Sequence, residues 1–338
     1  MLIPMHDTTL FTFEDVHEWV TGAGVLPVAV DSSGGVHFLL GKEQYVSHWH
    51  GSLKWSGFEG GRKPNESVEH AAAREFIEES MATVRLTHVP GGLSIATVEE
   101  CLRQEKYVAR IVLCINHGAV EQRRFHVTYL MQVPHDASCV GRFDSQRRVL
   151  TRMQHADKRL KDAAAQLPAV GSYGEGDTDM GTVTNLELFD DSVLRSEYVD
   201  PTGKVCARPR AQDVAAYVRW LDARRSFTAE FDAPEMQCIS AFQVRRDERG
   251  IVTSVEFNRD YLEKHAIQWW SMKDLHTVCH NGGYKGAEFF RAYFLPVLQR
   301  AILEMGNIVG GSLEPITCAQ CNVRSNSLGT VCGSGVPR

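Results

Sequence analysis

A chain of 338 residues, 43% hydrophobic and 23% charged, has ample material for a buried core and about two domain equivalents. Its 36 Lys and Arg against 42 Asp and Glu leave a net charge of -6, which excludes a strongly basic nucleic-acid binder but leaves room for a local basic patch. No apolar run reaches the roughly 18 residues that span a membrane, the start MLIPMHDTTLFTFEDVHEW lacks the basic region of a secretory signal, and nine scattered cysteines fit reduced thiols in the cytoplasm or nucleus better than a disulfide framework.

In chain order, residues 1–21 read as an N-terminal extension. GAGVLPVAVD at 22–31 is a buried strand, DSSGG at 31–35 a turn and VHFLLG at 36–41 the return strand of a hairpin. Residues 43–67 read as a loop rich in Gly, Ser and His. The spacing of Ala71, Ala72, Ala73, Phe76 and Ile77 predicts a helix over 68–80. RFHVTYLMQV at 124–133 is a strand stopped by Pro134. A charged amphipathic helix is predicted at 143–166, a flexible loop at 171–181, and a helix at 211–225 with Val214, Val218 and Leu221 on one face. QVRRDERGIVTSVEF reads as a hairpin about Arg249 and Gly250, and IQWW at 267–270 as a short strand. Residues 286–305 form an amphipathic helix with Pro296 as its expected kink. The tail after 306, rich in Gly, Ser and Asn, is expected to be poorly ordered.

The informative segment is GGRKPNESVEHAAAREFIEES. Gly60 is followed after five residues by Glu66, after seven more by Arg74 and Glu75, and then by Phe76 and the pair Glu78 and Glu79. Six such fixed positions match by chance about 5 × 10⁻⁸ times per starting point at average residue usage. Positions i, i+3 and i+4 share a helix face, so Glu75, Glu78 and Glu79 stand together, while Ala73, Phe76, Ile77 and Ser80 turn toward a core. Like charges about 6 Å apart repel by roughly 3 kcal/mol at an effective dielectric near 20. Glu78 and Glu79 also fall in the last turn, where the helix dipole disfavours anions. Two local rules broken within five residues point to a compensating cation. Hard oxygen ligands select Mg²⁺ or Mn²⁺, ions that clamp phosphate oxygens and lower the pKa of attacking water. The competing account is a solvated Glu-rich helix face.

These residues resemble the Nudix box, G-x5-E-x7-R-E-U-x-E-E-x-G-U, where U is a bulky apolar residue. The resemblance implies an α/β fold, an α/β/α sandwich with a mixed sheet, and hydrolysis of a diphosphate linkage in a nucleoside diphosphate derivative with Mg²⁺ or Mn²⁺. By position, Glu78 and Glu79 would be the main metal ligands. Glu75 would add a ligand or help activate the water, and the Gly60 carbonyl would join the metal shell. Glu66 and Arg74 would pair to brace the loop against the helix. The closing glycine of the box is Met81 here and the apolar position after it is Ala82, so the helix loses its easy left-handed cap and is expected to run on or end differently. KWSGFEGG resembles the family's approach to the box, with Glu59 where Pro is usual. EKHAIQWWSMKDL at 263–275 resembles its closing acidic residue, aromatic strand and short helix, which nominates Glu263 as a further carboxylate, with Glu256 and Asp260 as rivals.

If both ends belong to one sheet, residues 22–134 and 255–305 form the Nudix core, 135–254 an inserted subdomain and 306–338 a tail. The alternative is a compact domain ending near 200 followed by a separate one. Trp55, Phe58, Trp269, Trp270 and Tyr284 are candidates to stack a nucleobase, against ordinary core or strand roles. His48 and His50, and the arginine pairs Arg123–Arg124, Arg147–Arg148 and Arg245–Arg246, are candidate phosphate or RNA contacts, against a solvated surface. Cys318, Cys321 and Cys332 offer three ligands of a zinc site, with His280 as a conceivable fourth. The partner expected is a nucleotide-type small molecule or an RNA 5′ end, with no membrane. The rival reading is a nucleotide-binding or sensor module on the same fold, and a more distant one an unrelated α/β protein with a chance box.

Overall fold

The structure, a computed structural model, describes residues 13–86, 93–115, 123–166, 198–199, 205–206, 211–231, 241–246, 252–280 and 286–309. The loop expected at 171–181, Tyr284, and the tail with Cys318, Cys321 and Cys332 lie outside them. The described residues within 1–147 and 258–338 form one compact unit and those within 148–257 a second.

The first unit begins with α1 (Phe13–Val16), a 3-10 turn and a long strand β1 (Val20–Val30), which returns as β2 (Val36–Glu43). Two short strands, β3 (Trp55–Ser56) and β4 (Phe58–Gly61), lead into α2 (Val68–Ser80), followed by α3 (Ile95–Arg103), β5 (Ala109–Cys114) and β6 (Phe125–Gln132). The chain continues through α4 (Ser138–Ala164) into the second unit. That unit holds the paired β7 (Tyr198–Val199) and β8 (Val205–Cys206), α5 (Ala211–Phe231), and the hairpin β9 (Phe242–Arg246) and β10 (Val252–Phe257). The first unit resumes with a 3-10 helix (Arg259–Leu262), β11 (Lys264–Ser271), α6 (Met272–His280), α7 (Gly286–Phe289) and α8 (Phe294–Val309).

Among the described residues β11, β2, β1, β6 and β5 lie side by side in that order, with β3 added to β2 and β4 to β1. β1 and β6 run parallel and the other neighbours antiparallel, so the sheet is mixed. Pro27 is tolerated in central β1 because it falls where the strand changes partner, after Val25 pairs with Phe58 and before Val28 pairs with Phe38. The period of two in β6 sends successive side chains to opposite faces. Tyr129 donates its hydroxyl to Glu69 of α2 at 2.8 Å, whereas Leu130 joins the apolar cluster under α6 and α8. Helices thus cover both faces, giving the α/β/α sandwich with a mixed sheet that the sequence predicts. Among the described residues no helix is long and apolar enough to cross a membrane, and Cys101, Cys114, Cys139 and Cys279 form no disulfide.

Five expectations need correction. The stretch 43–67 is not all loop: β3 pairs with β2 and β4 with β1, bringing Glu59 opposite Gly24. The helix predicted from 143 begins at Ser138, where Asp136 accepts the Ser138 backbone N–H at 2.9 Å and holds Arg142 at 2.8 Å. Among the described side chains of α5, Ala216, Trp220 and Phe227 are buried and Val218 is exposed; Val214 and Leu221 lie outside them. The helix predicted over 286–305 is two helices. Between them the Arg291 N–H donates to the Trp55 carbonyl at 3.0 Å, so the chain leaves the helix to pair with β3, and Pro296 sits in the first turn of α8, where no intrahelical N–H is needed.

The fifth correction concerns the end of α2. Ser67 caps its start by accepting the His70 N–H. The helix neither runs on nor frays. Met81 takes the left-handed conformation at φ 54°, its N–H bonding the Glu78 carbonyl while the Ala82 N–H bonds that of Ile77. This is the closure a glycine would make. The Met81 side chain is buried, and that packing opposes the roughly 1–2 kcal/mol that a left-handed non-glycine residue costs.

Candidate functional site

The site grows from the β4–α2 connection. Glu66 turns back to accept the Lys63 N–H at 2.8 Å, which places its carboxylate beside Arg74, one turn into α2. The Arg74 guanidinium is 8% exposed. It donates from Nε to Glu66 Oε1 at 2.7 Å, and from Nη2 to Glu66 Oε2 at 3.1 Å and the Gly61 carbonyl at 2.9 Å. Its Nη1 reaches Glu75 Oε1 at 2.7 Å and Glu78 Oε2 at 3.1 Å. Arg74 therefore does more than the brace to Glu66 that the resemblance implies.

The three helix glutamates grade inward, Glu75 being 7%, Glu78 4% and Glu79 1% exposed. Gly60, opposite Ala23 in β1, leaves the space that the Glu75 carboxylate occupies, since a Cβ there would collide with it. Burial pushes the Glu75 carboxyl up to about 7; Arg74 pulls it back, and Glu78 and Glu263 push it further. Asn258 donates its side-chain N–H to Glu78 Oε1 at 3.0 Å. Glu263 follows the 3-10 helix and is exposed as a residue. Its carboxyl is shielded enough that burial, then Asp260, Glu43 and Glu78, raise its pKa against the pull of Lys264.

Glu79 is fixed from two strands. Its Oε2 accepts the Glu59 N–H of β4 at 2.7 Å, and Lys264 Nζ of β11 lies 3.0 Å from Oε1. The Lys264 side chain is fully buried and also donates to Glu43 Oε1 at 2.7 Å and Ser56 Oγ at 2.8 Å. Burial opposes its charge, but Glu79 and Glu43 outweigh burial and raise its pKa, while burial pushes the Glu79 carboxyl well above the usual carboxylate range against the pull of Lys264. Arg291 Nη1 donates to the same Glu43 oxygen at 2.9 Å. Glu59 carries the network to the other face of the sheet, with His126 Nε2 3.1 Å from its Oε2. Burial pushes the Glu59 carboxyl up, but the His126 hydrogen bond and charge, then Arg291 and Lys264, bring it below its ordinary value.

The compensating cations inferred from the sequence are therefore present in part as side chains, Arg74 and Lys264. As the side chains stand, no three His, Cys, Asp or Glu groups among the described residues are gathered tightly enough to hold an ion. An open cleft of about 400 Å³ at the start of α2, lined by Glu66, Ser67, His70 and Glu99 among others, reaches Glu66 but is not lined by Arg74, Glu75, Glu78 or Glu79.

The aromatic candidates fall elsewhere. Phe58 is fully enclosed and packs edge-on against Phe76 with centroids 5.7 Å apart, so it presents no face to a ligand; the sequence expectation is corrected on this point. Trp55 and Trp270 pack edge-to-face at 5.5 Å beside the α8 core. Trp269 donates its indole N–H to the Asp136 carbonyl at 3.1 Å and lies against His135. His48 and His50 are exposed on the β2–β3 loop. Arg147 donates to the Lys264 carbonyl at 3.1 Å. Sequence reasoning missed Glu43, Ser56, Lys264, Asn258, His126 and Arg291, and registered Glu59 only as a departure from a motif. Glu43, Ser56, Glu59, His126 and Lys264 share one signal, polarity inside strands that are otherwise apolar; Asn258 and Arg291 lie in connections and carry none.

No family model matches this sequence, and no curated protein matches it. Solved structures give partial likenesses. An Ap4A hydrolase from C. elegans is 19% identical, aligning over 34% of this chain and 67% of its own with a TM-score of 0.22. A Nudix hydrolase from M. smegmatis is 18% identical over 35% and 63% with a TM-score of 0.23. A bifunctional NMN adenylyltransferase/ADP ribose pyrophosphatase from Francisella tularensis, complexed with AMP and Mn, is 19% identical over 33% and 26% with a TM-score of 0.23. The chain thus spans about two thirds of the first two proteins and a quarter of the third. Scores this low leave the chemistry to be read from the residues themselves.

Proposed function

We propose that this protein is a metal-dependent hydrolase of the Nudix type, cleaving a diphosphate linkage in a nucleoside diphosphate derivative. One observation carries the reading. Glu75, Glu78 and Glu79 are all withdrawn from water on one helix, next to the Gly60 strand and with Glu263 at the rim. A merely solvated acidic face would leave them in water.

The donor set suits Mg²⁺ or Mn²⁺: the hard oxygens of Glu75, Glu78, Glu79 and Glu263 and the Gly60 carbonyl. Burial, and after it the neighbouring carboxylates, raise the pKa of Glu75 and Glu263, so a cation placed among them would favour their charged forms. A divalent ion bound there supplies charge neutralisation at phosphoryl oxygens and a lowered pKa for attacking water. Arg74 is placed to yield Glu75 and Glu78, since it keeps its bonds to Glu66 and Gly61 when Nη1 lets go. Glu75, beside Gly60 and within reach of the carboxylates of the same helix face, is the carboxylate assigned to take a proton from the attacking water.

Free nucleotides, nucleotide sugars, dinucleoside polyphosphates and capped RNA make up the test panel, with Mg²⁺ or Mn²⁺. Glu78→Gln and Glu79→Gln are each expected to lose about two decades of turnover. Full turnover by both variants would refute the assignment. A second reading, a module that binds a nucleotide without cutting it, is favoured by one observation: Arg74 and Lys264 already engage the carboxylates. Nucleotide-dependent thermal stabilisation without product would select it.

A further inference from the structure

We propose that Lys264 is a positioning residue for Glu79, holding the innermost carboxylate of α2 in one orientation from the neighbouring strand β11. The inference rests on the reading of α2 as the catalytic and ion-holding element, and it assigns a role to a residue outside the box.

The geometry is that of a fixed clamp. The Lys264 side chain has no exposed surface, and its ammonium has three acceptors, Glu43 Oε1, Ser56 Oγ and Glu79 Oε1, all within 3.0 Å. Three is the number of protons an ammonium can donate. Glu43 is itself held by Ser56 Oγ at 2.7 Å and Arg291 at 2.9 Å, so the clamp is anchored at its far side. Glu79 has its other oxygen on the Glu59 N–H. Its two oxygens are therefore pinned to different strands, whereas Glu75 and Glu78 share one guanidinium nitrogen. A buried pair of this kind is a poor source of net stability, because desolvating both charges offsets their attraction. Its use lies in orientation: a carboxylate already aimed spends no free energy on ordering when a ligand arrives.

Gly41 provides a way to disturb the clamp without touching a charge. The Lys264 stem crosses Gly41 of β2, where an added Cβ would stand 2.9 Å from Cδ and 3.0 Å from Cε. Alanine there must push the lysine stem aside by a few tenths of an ångström while every ionisable group is retained in the sequence.

The test compares Gly41→Ala and Lys264→Met in the wild-type and Glu79→Gln backgrounds, reading kcat and KM on whichever panel nucleotide the protein cleaves. Positioning predicts that Gly41→Ala lowers kcat about tenfold with KM changed less than about threefold, and that it adds no further loss once Glu79 is Gln. Lys264→Met should lose more, with the same dependence on Glu79. Unchanged kcat in Gly41→Ala, or an equal loss in both backgrounds, would overturn the proposal. If Lys264→Met does not fold, Gly41→Ala decides alone. If the wild-type protein cleaves nothing, the hydrolase reading fails by itself, and the clamp is judged by Mn²⁺ affinity from water-proton relaxation. Weakened binding in Gly41→Ala that vanishes in the Glu79→Gln background supports it, while unchanged binding, or none in the wild type, overturns it.

Discussion

Two helices cover the same sheet and bury different things. α8 presents Phe294, Val297, Leu298, Ala301, Ile302 and Met305, a stripe at i, i+3, i+4, i+7, i+8 and i+11 that packs on Leu26, Val28, Phe38 and Leu40. α2 buries Ala72, Ala73 and Phe76, but also Arg74, Glu75, Glu78 and Glu79. Apolar burial needs no named partner. Ionic burial needs a matching group at hydrogen-bond distance for each charge, so α2 is tied to Gly61, Asn258, Lys264 and the Glu59 backbone, whereas the buried Glu304 of α8 pairs with Arg300 of its own helix. Structure of that kind is seldom the cheapest route to stability. Charges bonded to residues outside the helix mark α2, and a mainly apolar stripe marks α8, which is the contrast on which the proposed function draws.

The sharpest way to break this comparison is to remove the central cation. Arg74→Ala leaves Glu66, Glu75 and Glu78 buried together, and should cost about 3–5 kcal/mol in urea unfolding at neutral pH. Added Mg²⁺ or Mn²⁺ should restore part of that loss if the carboxylates then take up an ion. Failure of either ion to stabilise the variant would argue against an ion-holding cluster. Leu298→Ala on α8 should cost about 2–5 kcal/mol through its cavity, with no recovery by divalent ions and with KM unchanged in the folded fraction. Recovery by divalent ions there would erase the contrast.

The smallest effect comes from a surface ion pair beyond the end of α2, where Arg142 holds Asp136 and the Thr83 carbonyl. Asp136, held by the Ser138 hydroxyl and then by Arg142, has its carboxyl lowered from 3.8 to about 2. Because the folded value is the lower one, its contribution is full above about pH 4 and is lost as the pH falls toward 2. After allowance for solvent screening it amounts to about 1 kcal/mol, and Asp136→Asn should flatten the acid limb of the stability curve by that much. An unchanged acid limb would remove Asp136 from the account.

Local pattern determined much of this protein. Thirteen residues of α2 read correctly from helical spacing, and the β1–β2 hairpin from its DSSGG turn between apolar runs, because both signals are properties of the chain itself. The box likewise brought Glu66, Arg74, Glu75, Glu78 and Glu79 to notice without coordinates. What only the tertiary structure decided is who meets whom across the sheet. Lys264 lies 185 residues beyond Glu79 and 221 beyond Glu43, and β11 places it against both only because its register on β2 pairs Lys264 with Glu43. A lysine in an aromatic strand carries no mark of that role. The same holds for Met81: sequence shows a missing glycine, but only the packed interior, which encloses the methionine side chain, explains why the helix still ends there. Spacing along a chain encodes faces and caps, whereas the partners of a buried charge are fixed by pairings between distant strands, which no local window contains.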